Sequence, residues 1–163
     1  MKGGTFLTLR SARGTALKMK TIYASEEEIV RIGEGLFAAT LPRGEWTHAA
    51  HFAAALWLLR YRPELDAAKA MPGLIRAYNE SVGRANDDSG GYHETITQAS
   101  LRALKGVLEA NPPDMPLHRI VNSLMASNFA NPNWLLEYWS RDRLMSVEAR
   151  REWRDPDLKP LPF

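Results

Sequence analysis

The stretch EWTHAAHFAAALWLLR, residues 45–60, decides how this chain is read. At ~100° per residue, Phe52, Ala55, Leu56 and Leu59 form one helical face, and Ala50, Ala53 and Trp57 cover the other. A helix that is apolar on every side is enclosed by others, so this one is the expected centre of the fold. Its expected span is Glu45 to Arg60, with Pro63 as the stop. Yet its entrance carries His48 and His51, with Glu45 three residues before His48. On the same wheel His48 falls in the middle of the core-facing stripe, flanked by His51 and Glu45. Imidazoles placed there either satisfy backbone groups or belong to a site.

Working outward, Ser25-Glu26-Glu27-Glu28 is a capping box, followed by Ile29, Ile32 and Leu36 at helical spacing. A first helix is expected over 26–39, broken by Pro42 and Gly44. Met71-Pro72 opens a helix that stops at Gly83, since proline suits a first turn. The loop GRANDDSGG (83–91) is longer and more polar than a simple connection requires. A helix then runs from about His93 to Ala110, ended by Asn111-Pro112-Pro113, and a fifth covers about 117–127. Trp134 to Trp139 reads as helical after the turn at 131–133, and Ser146 caps a last short helix. No alternating run is long enough for a strand. The expectation is an all-α, irregular bundle of about six helices in a single domain over 25–155. A basic extension (1–24) precedes it and a proline-rich tail (156–163) follows.

The sequence pI of about 9.0 comes from the extension. Lys2, Arg10, Arg13, Lys18 and Lys20 lie in the first 20 residues, where there is no acid. Of 21 basic residues, 16 then remain against 19 acidic ones, a net charge of −3. An acidic body argues against a nucleic-acid partner, which needs clustered lysine and arginine. The basic head reads as a tail or edge segment, as the product of an early start with Met19 the true one, or as a targeting segment without secretory features. No run reaches the ~18 apolar residues of a membrane span, so no membrane role is expected. With no cysteine, thiolate metal sites and cysteine nucleophiles are excluded, and a reducing cytoplasm is the expected location.

His93 faces inward at the start of its own helix, in company with Thr97 and Ser100, so two helices each bring an imidazole toward the centre. A helix N-terminus favours the neutral ring, the form that binds a metal or acts as a base. His48, His51 and His93 are therefore candidate ligands of a divalent metal (Zn, Fe, Mn or Ni), since catalytic zinc takes about three protein ligands. Glu45 and Asp88 are the candidate proton carriers. Asn86, Tyr92, Thr97 and Ser100 are candidate contacts to a small polar substrate, in metal-assisted hydrolysis or a lyase-type proton transfer. Glu45-Trp46-Thr47-His48 has the Glu-x-x-His spacing of di-iron bundles, but a second copy is missing. The turn Ser89-Gly90-Gly91 before a helix offers amides to an anion. The competing expectation is a non-catalytic ligand-binding or homodimer-forming module, in which the histidines satisfy carbonyls and aromatics such as Trp139 make an interface or a pocket mouth.

EWTHAAH (45–51), GYHETIT (91–97) and WLLEYWS (134–140) together resemble a family of small helical bacterial proteins with no assigned activity. The resemblance covers roughly residues 25–163. It implies a bacterial origin and a self-standing helical domain, and supplies no reaction. In architecture the chain is also similar to DinB-like bundles, whose three histidines hold a divalent metal, although their His-x-x-x-His pair is replaced here by a three-residue spacing.

Overall fold

The computed structural model describes residues 20–163. Seven helices follow in order: α1 (Glu26–Phe37), α2 (His48–Tyr61), α3 (Ala67–Ser81), α4 (Glu94–Ala110), α5 (Leu117–Leu124), α6 (Arg141–Leu144) and α7 (Val147–Arg151). Three 3-10 turns, Arg43–Glu45, Asn128–Ala130 and Trp134–Glu137, separate some of them, and no strand occurs among the described residues. The all-α expectation holds. Extension residues 1–19, with the Met19 start, lie outside the described residues.

α2 is the hub. Ala49, Ala50 and every residue from Phe52 to Leu58 are buried, and α1, α3, α4 and α5 all pack on it. Its alanines let several helices approach closely, which is how an apolar cylinder is enclosed. On α1, Gly33 makes room for Trp57: a Cβ there would stand 2.2 Å from the indole. The capping box ahead of α1 forms as expected, with Glu28 accepting from the Ser25 amide.

α3 starts four residues earlier than expected, at Ala67, because Asp66 accepts from the Ala68 amide at 3.1 Å and caps it. Pro72 is thus inside the helix rather than at its head. Having no N–H, it leaves the Ala68 carbonyl without its usual helical partner. Gln98 of α4 fills that position, its side-chain amide donating to Ala68 O at 2.8 Å.

A second, smaller core forms beyond α5. Trp139, with no exposed surface, packs with Ala99, Leu135 and Leu144, and its indole N–H donates to Arg154 O at 2.9 Å. Trp139 therefore neither covers a pocket mouth nor offers an oligomer face, because it is the centre of this core. Both expected domain edges also shift. The amides of Ile22 and Tyr23 donate to Asn122 Oδ1, which draws the chain before Ser25 onto α5. The tail is non-helical as expected, yet it packs: Leu158 N donates to Tyr138 O, and Phe163 lies against Trp134 and Tyr138. No helix among the described residues is long and apolar enough to cross a membrane.

Candidate functional site

The turn Arg43–Glu45 delays the start of α2, so Thr47 becomes its cap and accepts from Ala50 N at 3.2 Å. His48 and His51 are then the first and fourth helical residues. Each directs one ring N–H to a carbonyl. His48 Nε2–H donates to Phe129 O (2.7 Å), and His51 Nδ1–H donates to Thr47 O (2.6 Å). The second bond fixes the tautomer of His51 and leaves Nε2 as its lone pair. Trp46 stacks on this ring, with centroids 3.9 Å apart. His51 keeps exposed surface because it faces a cavity, while the protein around it strips most of its water. That desolvation, assisted by His48 and Arg84 and opposed by the Thr47 bond, pushes its pKa down to about 4. The imidazole is neutral at pH 7.

The cavity beside these rings measures about 340 Å³ and lies between α2, α3 and α4. Phe52 and Ala55 line it from α2, Met71 and Ile75 from α3, and Leu101 and Leu104 from α4. Trp134 and Leu136 close another side. His48, His51, Thr97, Ser100 and Asn133 bring polar groups into it, and no lysine, arginine, aspartate or glutamate lines it.

Of the residues singled out in the sequence, the structure thus brings His48, His51, Thr97 and Ser100 together and keeps the others out. His93 is the cap of α4, not its first residue. Its Nδ1 accepts from Ile96 N (3.3 Å) while Nε2–H donates to Leu144 O (2.9 Å). With both nitrogens engaged it cannot serve as a metal ligand in this arrangement. Burial lowers its pKa, with Arg150 adding to the effect, which keeps the ring in the neutral form the cap requires.

Glu45 and Asp88 are not poised to carry a proton at the cavity. Glu45 pairs with Arg31 at 2.5 Å, and Asp88 receives two hydrogen bonds from Arg151 at 2.8 and 2.7 Å. Asn86 holds the 83–91 loop instead of a substrate, its Oδ1 accepting from Asn79 Nδ2 and Tyr92 N. Tyr92 is buried, donates to Glu94 at 2.6 Å, and lies under the Arg76 guanidinium. Burial, then Glu94, raises its pKa. The anion-binding turn is also taken: Ser89 N and Gly90 N donate to Asp87 Oδ1 at 2.9 and 3.1 Å. The Ser89 hydroxyl, which also donates to Asp87, and then those amides lower the pKa of Asp87.

Among the described residues no group of three His, Asp or Glu side chains could hold a metal ion. What sequence reasoning missed is the wall contributed by residues 132–136 and by Met145. The apolar spacing of Trp134, Leu135 and Leu136 marks them as packed, with nothing to distinguish a cavity wall from a core. Comparison with known protein families, with curated proteins and with solved structures gives no match.

Proposed function

We propose that the protein binds a small, neutral, mainly apolar molecule bearing a hydrogen-bond donor, in the cavity between α2, α3 and α4. One observation carries this reading: a space of about 340 Å³ with apolar walls, a few polar groups and no charged side chain in its lining. Small-molecule sites have this character, with volumes of roughly 300–1,000 Å³. A charged ligand would meet no counter-charge in the lining, so a neutral one fits. His51 Nε2 accepts the ligand's donor, and the Thr97 and Ser100 hydroxyls orient it.

Binding is better supported than metal-assisted hydrolysis or a lyase reaction. Two imidazoles fall short of the roughly three protein ligands that a catalytic zinc takes. The two acids expected to move protons are held by arginines outside the cavity.

The test is a titration with 2-naphthol, followed by tryptophan fluorescence and thermal unfolding. Saturable binding with a raised melting temperature is expected, and naphthalene, which lacks the donor, binds about tenfold more weakly. Ala55→Leu and Ser100→Leu fill the space and remove binding. Undiminished binding in both variants would overturn the reading.

A further inference from the structure

The segment entering α2 shares a second cavity with the end of α3. It measures about 200 Å³, and its wall is Arg43, Trp46, Tyr78, Asn79, Val82 and Arg84. Its character is the opposite of the first cavity, since two exposed arginines share its wall with two buried polar side chains. Tyr78 is 1% exposed and Asn79 3%. The Tyr78 hydroxyl is one of two buried side-chain polar atoms left without a hydrogen-bond partner among the described residues. A buried hydroxyl in that state is unusual and calls for a partner.

The cationic side chains of the wall are in the same position. Neither Arg43 nor Arg84 is within ion-pair distance of an acid among the described residues. Glu45, close enough to act on Tyr78, has its carboxylate on Arg31. Burial holds the Tyr78 hydroxyl in its protonated form, so it is available as a donor. Asn79 turns its amide N–H toward Asn86 Oδ1, away from the competition for this space. Three residues with donor groups, two of them cationic, therefore line one cavity with no acceptor for those groups among the described residues.

The geometry points to a binding site for a small oxyanion, a phosphate or carboxylate group, held between Arg43 and Arg84 with the Tyr78 hydroxyl as third donor. Guanidinium groups suit it because their planar forks match such oxygens in pairs. The site is independent of the apolar cavity, although Trp46 belongs to both walls. An oxyanion bound here would stand beside whatever occupies the first.

The experiment is titration of the full-length, 15N-labelled protein with inorganic phosphate and, separately, with acetate, at ionic strength held constant with chloride. Saturable shifts of the tryptophan indole and arginine side-chain resonances are expected for at least one of the two. Arg43→Gln and Arg84→Gln each weaken that binding about tenfold, Tyr78→Phe weakens it several-fold, and Arg141→Gln, at an exposed position outside the cavity, leaves it unchanged. Both arginines are exposed, so the variants keep the wild-type amide spectrum. Shifts that never saturate with either anion, or that persist in the Arg43→Gln/Arg84→Gln double variant, would overturn the assignment. Naphthol binding is measured separately, so failure of one site does not entail failure of the other.

Discussion

α2 and α4 both carry histidine at their entrances, and the two entrances do different work. At α4 the histidine is itself the cap: His93 accepts from the Ile96 amide, donates to Leu144 O, and has nothing left to offer. At α2 the cap is Thr47, so His48 and His51 sit inside the helix, each with one N–H on a carbonyl and its ring in the wall of a cavity. The same residue type at nearly the same place is structural in one helix and available in the other. What separates them is whether a neighbour has already taken the capping role.

That contrast can be broken most forcefully from the α4 side. Leu144, which receives the His93 bond, packs in the small core around Trp139. Trp139→Ala should cost about 3–5 kcal/mol, the usual range for emptying a buried tryptophan site. Urea unfolding gives the value, and a loss below about 1 kcal/mol would mean that this core does not support the α4 entrance.

His93→Ala should come next, at about 2–4 kcal/mol. A lost cap contributes about 1 kcal/mol and an unsatisfied buried carbonyl about 1–3. His93→Asn restores a capping oxygen and should recover about 1 kcal/mol. Naphthol affinity should stay within a few-fold of wild type in both variants, whereas His51→Leu should abolish the advantage of naphthol over naphthalene. The opposite pattern, with ligand binding tracking His93, would reverse the comparison.

The smallest effect is on pH dependence. His51 and His93 both have pKa values lowered from 6.5, in each case chiefly by burial. As the pH falls through 6.5 the unfolded chain takes up protons that the folded chain refuses until lower pH, about 4 for His51. Their contribution to stability is therefore whole above pH 6.5 and declines as the pH drops toward 4. Unfolding measured between pH 7.5 and 5, above the carboxylate range, should show this decline, and His51→Gln should flatten it. Equal stability at both ends of that interval would contradict the sign.

Much of this was legible in residue order. The apolar circumference of α2, the capping box at Ser25 and the cap at Ser146 are local patterns, and the structure has them as the spacing requires. Asp66 is an equally local signal for α3 that the reading of Met71-Pro72 as the helix start leaves out, and the partner that makes Pro72 tolerable inside the helix, Gln98, lies on another helix. The site was half legible for the same reason. The wheel puts His48, Thr97 and Ser100 on inward faces, which is a statement about one helix at a time. Whether His93 would reach a cavity or the Leu144 carbonyl depends on a contact 51 residues away. Asp88 and Glu45 resemble free acids in sequence because the arginines that hold them, Arg151 and Arg31, are distant in the chain.

By itself, then, the order of residues determined an all-helical protein wrapped around α2, since periodicity and capping act within a few residues. Tertiary packing alone decided which imidazoles keep a lone pair, where an apolar space stays open, and which acids are neutralised. Those outcomes depend on hydrogen bonds and charges between segments far apart in the chain, and no local pattern encodes them.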